Sequence, residues 1–319
     1  QILANGTDTD SILFTAADPA TGFRSIRFLE TNPVNDTSRF EYCTFEYGNV
    51  YGEFPDNCGG ALFVRDFSKL VIDHCTFRNN LAVDFSFFPY TSSGGAICLW
   101  TSSAVIKNCK FEDNTAYSGG AVVCYLESHP IIEGNTFTRN HAIHADTGEG
   151  YGGAFYCIVG SNPVISHNIF TENTAENGGG GFACISNCIP IIHHNLFYND
   201  TASWGGAIEI QDTCAPQIIN NTIAHNYAHL YGGGIDVWTQ CYPEIWNTIL
   251  WENTAINGPE VYLREFNDIA DFYYCDVMNG KDDIEGSGTI GDFLGCIDED
   301  PLFEGSDTCY YHLMADSPC

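Results

Sequence analysis

Residues 168–184 read NIFTENTAENGGGGFAC, and residues 195–210 read NLFYNDTASWGGAIEI. Laid over one another, the two segments share an aromatic residue three places before a short polar one, then Thr-Ala, a glycine pair and a short apolar alternation. The frame extends in both directions. Phe77–Asn80, Phe111–Asn114 and Phe137–Asn140 match F-x-x-N outright, and Phe197–Asp200 and Ile223–Asn226 are close variants. Phe45 starts the series, and NTILWENTA around Asn247 continues it with one extra residue. Gly pairs follow at 59–60, 94–95, 119–120, 152–153, 179–180, 205–206 and 232–233, and Pro130, Pro163, Pro190, Pro216 and Pro243 mark a later turn. The bare period is 26–27 residues.

A period of this length, with strand-like alternation, turn residues at fixed offsets and no helical stripe, describes an all-β parallel β-helix of about 8–10 turns. Each coil is expected to supply two or three short strands, with coils stacked about 4.8 Å apart. A leucine-rich repeat has a similar period, but its LxxLxL frame is absent. Three segments follow: N-terminal coils over 1–42, regular repeats over 43–263, and an irregular coil and cap over 264–319. Without a cap, the last strands would leave unpaired edges.

Stacked coils make aligned residues neighbours, so columns carry the reading. The Phe column is expected to stack inside, the Asn of F-x-x-N to sit at a left-handed bend, and the Gly pair to allow close backbone approach. A second polar column holds Cys43, Cys75, Cys109, Asn135, Asn168, Asn195, Asn221 and Asn247. These columns read as structural. Cys124, Cys157 and Cys184 share one apolar position, and Cys188, Cys214 and Cys241 share another. Bridges between coils and buried free thiols are both open readings of them. No C-x-x-C pair occurs, which argues against zinc.

The 319 residues carry 41 Asp+Glu against 11 Lys+Arg, a formal net charge of -30. Such a surface repels nucleic acid and anionic membranes and attracts cations. No apolar run reaches the length of a transmembrane span, so membrane insertion is not expected. Fifteen cysteines fit an oxidising, extracellular setting, and their odd number leaves at least one thiol outside any internal pairing. Localisation is therefore expected to be secreted and cell-surface associated. The chain opens at Gln1, as a processed or excised piece would.

F-x-x-N alternating with G-G-A-[ILFV] over 43–263 resembles the repeats of polymorphic outer-membrane protein passenger domains. LANGTDTDSILFTAAD, RFEYCTFEYGN, YCDV at 274–277, IDEDPLF and YHLMADSPC resemble secreted bacterial β-helix proteins, many of which carry a further sorting domain. The resemblance implies a single-stranded right-handed parallel β-helix, and it transfers fold better than function.

Two places are candidates for function. Three repeats carry insertions between F-x-x-N and the Gly pair, and insertions at one phase emerge on one edge. They supply Tyr47, Tyr51 and Phe54; Phe85, Phe87, Phe88 and Tyr90; and His141, His144, Asp146, Glu149 and Tyr151. This aromatic, acidic, His-bearing ridge is the expected binding surface, unless its rings pack the loops against one another. On a flat face, Glu209 and Asp236 are expected to point outward on consecutive coils beside Trp204, Gln211, Tyr231 and Trp238. That pair would suit a retaining glycosidase or a weak Ca²⁺ site, or would be a plain acidic ladder. No cofactor beyond such a Ca²⁺ ion is expected.

A lyase acting on uronates needs a basic cleft, and none is evident. The sequence thus points first to a non-enzymatic adhesive or scaffold protein. Its partners would be other subunits or surface glycans, and it would be able to form homo-oligomers or filaments. A carbohydrate-active or glycan-binding protein is the alternative.

Overall fold

The computed structural model describes residues 1–32, 34–53, 55–83, 93–143, 150–304 and 311–319. One coil shows the plan. Ser38–Glu41 lies on face A, Cys43–Glu46 on face B, Asn49–Val50 on face C and Leu62–Arg65 on face D. The chain then returns to face A at Leu70–Asp73. Among the described residues, repetition builds parallel sheets of eleven strands (A), ten (B), seven (C) and ten (D), each strand paired with its counterpart one coil away. The architecture is a parallel β-helix with one more face than the two or three strands per coil expected. Face C escapes sequence reading because most of its strands are two residues long.

The interior follows from period-2 alternation within each short strand. On face B, Phe14, Phe45, Phe77, Phe111, Phe137, Phe170 and Phe197 form one column of parallel rings with centroids 4.6–4.9 Å apart. Face A contributes Phe40, Ile72, Ile106, Ile132, Ile165, Ile192, Ile218, Ile245 and Phe272, all fully buried. These columns form one continuous core running the length of the rod.

Three of the four corners combine a left-handed residue outside with a polar column inside. Between B and C, the left-handed residue is the one before the Asn: Asn79, Asp113, Arg139, Glu172 and Asn199 have φ of 52–58°. The Asn itself does not occupy the bend, which corrects the expectation. Asn80, Asn114, Asn140 and Asn173 instead point inward. The carbonyl oxygens of Asn114, Asn140 and Asn173 accept the backbone N–H and the amide of the Asn one coil earlier, as Asn140 does from Asn114 at 3.2 and 2.9 Å, and Asn80 Oδ1 accepts the Gly48 N–H at 2.9 Å. Each amide also donates to the Phe carbonyl of the preceding coil, as Asn140 does to Phe111 at 3.0 Å. The ladder satisfies corner N–H groups that strand pairing leaves free.

The A–B corner repeats the device with Cys43, Cys75, Cys109, Asn135, Asn168, Asn195, Asn221 and Thr248; Asn247, expected in this column, is instead the left-handed residue outside it, φ 45°. Here the thiols stand where amides stand elsewhere: the Cys43 N–H points at Cys75 Sγ (3.4 Å) and the Cys109 N–H at Asn135 Oδ1 (2.9 Å). Ser102, Ser128, Ser161, Cys188, Cys214 and Cys241 line the D–A corner, with the Cys188 N–H 3.2 Å from Cys214 Sγ. The fourteen described cysteines are free thiols. At the C–D corner, the first glycine of each pair takes positive φ, 65° at Gly152. A side chain on the second would overlap the next coil's backbone, at Gly153 the carbonyl oxygen of Gly180.

Candidate functional site

Glu209 and Asp236 are register partners on adjacent strands of face D, Ile208–Gln211 and Ile235–Trp238. Their neighbours Ile208, Ile210, Ile235 and Val237 belong to the core, so the carboxylates do project from the opposite side of the sheet. They do not reach solvent: both are 0% exposed, which corrects the expected outward-facing pair. Trp204 and Tyr231, at the ends of face C strands, and Arg264, just after Val261–Leu263, close over them. The Arg264 guanidinium lies 4.6 Å from the Trp204 ring and 4.9 Å from those of Tyr231 and Trp238. Its Nε donates to Asp236 Oδ2 at 2.7 Å.

Burial pushes the Glu209 carboxyl well above the usual range, and the adjacent Asp236 pushes it further. Burial also raises Asp236, to about 6, against the pull of Arg264. Of the two, Asp236 is the carboxylate paired with Arg264, and Glu209 beside it is pushed toward its protonated form. Gln211 Oε1 and Trp204 Nε1 are buried with no hydrogen-bond partner among the described residues. A general acid–base pair must lie within hydrogen-bond reach of substrate. This pair is sealed beneath three aromatic rings and an arginine, and it works as a clasp joining three coils.

The insertion ridge lies largely outside the described residues: Phe54, Phe85, Phe87, Phe88, Tyr90, His144, Asp146 and Glu149 all fall there. Of the rest, Tyr47 is a left-handed corner residue, φ 59°. Tyr51 is half exposed under the Arg24 guanidinium, 4.4 Å away. His141 sits on face C, 4.0 Å from Glu176, and burial lowers its pKa. Tyr151 packs with Tyr156, Phe63, Cys98 and Val123 in a second apolar cluster on the outer side of face D. Cys58, at the end of another insertion, joins the same cluster.

A groove of about 800 Å³ opens elsewhere, along the A–B corner and the outer side of face B. Its floor is Ile169, Leu196, Thr222 and Tyr198, the outward residues of face B strands. One wall is the corner column of left-handed residues His167, His194 and Asn220, φ 54–55°. The His167 and His194 rings stack at 5.0 Å and 4°. The other wall carries Glu172 and Asn199, and the C-terminal segment returns to add Tyr311 and His312. Tyr311 packs on Tyr198 at 5.0 Å. Two smaller grooves lie on the same corner, one of about 500 Å³ beside Asn247 and Tyr274 and one of about 240 Å³ beside Tyr42 and His74. The corner is thus a line of recesses along the rod, walled by planar rings and amides.

A family model described as a right-handed β-helix region matches residues 31–201, more than half of the chain. The chain belongs to the right-handed β-helix family. No curated protein matches its sequence. Among solved structures, this β-helix is similar to the Dettilon tailspike protein (gp208), with 11% identity and a TM-score of 0.26. The similarity covers 83% of this chain and 55% of the tailspike chain, so the β-helix spans about half of that protein's length.

Sequence reasoning missed the corner groove of this β-helix. The column Tyr42, His74, Asn108, His167, His194, Asn220, Asn247 and Tyr274 immediately precedes the inward polar column and was available as an outward row. Tyr311 and His312 carry no repeat signal, and nothing local indicates that they fold back on Tyr198.

Proposed function

We propose that the protein is a non-enzymatic, extracellular adhesive β-helix whose contact surface is the row of grooves along the A–B corner. The observation that carries the reading is the open groove over Leu196 and Tyr198, whereas the paired carboxylates on the separate face D are sealed from solvent. An uncharged, extended glycan fits its chemistry. Leu196 and the paired rings of Tyr198 and Tyr311 offer apolar surface, while Asn199, Asn220, Thr222 and the imidazoles offer hydroxyl-matching donors and acceptors. The net charge of -30 disfavours a polyanion.

A glycan array combined with a hydrolysis screen tests this. The expected result is retention of a neutral oligosaccharide without cleavage, lost in Tyr198→Ala and kept in Glu209→Gln. Turnover abolished by Glu209→Gln would overturn the non-enzymatic reading. An array with no bound glycan would overturn the glycan reading.

A further inference from the structure

His193 ends the face A strand Ile191–His193, and His194 follows it in the left-handed conformation, φ 55°. Consecutive residues of a strand point to opposite sides, but the bend brings these two side chains together. Their Nδ1 atoms lie 3.0 Å apart, with the rings at 84° and their centroids at 5.3 Å. His194 Nε2 meets the amide nitrogen of Asn220 at 3.1 Å, and His167 stacks flat on the His194 ring. The Asn220 amide donates to Nε2, which places the His194 proton on Nδ1 and makes His193 Nδ1 its acceptor.

Two nitrogens 3.0 Å apart, each about 2.0–2.1 Å from a shared metal ion, subtend an angle of about 95° at that ion. This is the cis angle of a tetragonal or octahedral complex and is tighter than the tetrahedral angle zinc prefers. Imidazole donors with tetragonal geometry select Cu²⁺ or Ni²⁺. We propose that His193 and His194 form a two-imidazole site for a tetragonal divalent transition metal, Cu²⁺ or Ni²⁺, with both Nδ1 atoms as ligands.

Both imidazoles stay neutral on binding. The proton of His194 moves from Nδ1 to Nε2, and the Asn220 amide turns its oxygen to receive it, the orienting contact that metal-bound histidines use. Among the described residues no three His, Cys, Asp or Glu side chains surround a common metal position. Water or a groove ligand therefore completes the coordination, on the open side that His194 shares with Leu196 and Asn220. The acidic protein raises the local concentration of cations around the site.

The test is a CuCl2 titration of the intact chain near neutral pH in a non-coordinating buffer, followed by calorimetry and electron paramagnetic resonance. The expected result is one tight ion per chain with coupling to two nitrogens. His193→Ala and His194→Ala should each weaken it at least about tenfold, the loss expected when a ligand or its orienting partner is removed. His229→Ala, on the exposed end of face C, should leave it unchanged. A titration with no uptake, or uptake equal in wild type and both variants, would overturn the assignment.

Discussion

Asp200 is the misfit of the B–C ladder, and replacing it with Asn should stabilise the protein. Asn173 donates its backbone N–H (2.8 Å) and its side-chain amide (2.9 Å) to Asp200 Oδ1, as the ladder requires. Asp200 Oδ2 takes the place of the amide nitrogen of the other rungs, and it is buried without a partner. Asn173 and Asn226 use that nitrogen to reach the Phe137 and Phe197 carbonyls, so the equivalent target at this rung is Phe170 O. The amide introduced by Asp200→Asn would also bond to Asn226 Oδ1, the acceptor already used by the Asp200 N–H at 3.0 Å.

Two recovered hydrogen bonds at about 0.5–1.5 kcal/mol each give about 1–3 kcal/mol for Asp200→Asn. Burial raises the Asp200 pKa well above its ordinary value. A carboxyl raised in the folded state gives its full contribution below about pH 4 and loses it as pH rises through the folded value. The advantage of Asn should therefore be small at pH 4.5, where protonated Asp can donate one of the two bonds, and larger at pH 7.5. Urea unfolding followed by tryptophan fluorescence at the two pH values measures it. A lower midpoint for the variant at pH 7.5, or a gain identical at both, would refute the ladder reasoning.

Glu260, which ends that ladder by accepting from Asn253, is pushed up to about 8 by burial, with Asp283 and Glu252 adding to the rise. Stability should fall between about pH 4.3 and 8, and Glu260→Gln should flatten the decline; an unchanged slope in the variant contradicts the assignment. Phe137→Ala removes a ring fully buried between neighbours at 4.7 and 4.8 Å, and should cost about 3–5 kcal/mol in the same urea assay. A loss below about 1 kcal/mol would mean that the column does not bear on stability. Gly153→Ala should destabilise the coil, since its Cβ overlaps the Gly180 carbonyl. Wild-type midpoints for that variant would show that the corner gives way.

The repeat made the coils, the Phe column and the register legible, because stacking turns a period into columns. Glu209 and Asp236 could be paired from spacing alone, since both stand four residues after the first Gly. Their burial could not be read: the cover comes from Arg264 one coil later, and from Trp204 and Tyr231, which reach across from another face. The left-handed position was misplaced by one residue because Asn is a good candidate for both jobs, bend and inward ladder. The corner groove stayed hidden because its walls come from three coils and a returning C-terminal segment. A 26-residue frame describes what each coil shares, and this site is made of what they do not share.

Hydrogen exchange on the protein with and without its retained oligosaccharide tests the central claim most directly. The account predicts slowed exchange at 194–199 and 220–222, with 209–211 and 236–238 unchanged. Protection confined to 209–211 and 236–238 would place the ligand at the carboxylate pair and contradict it.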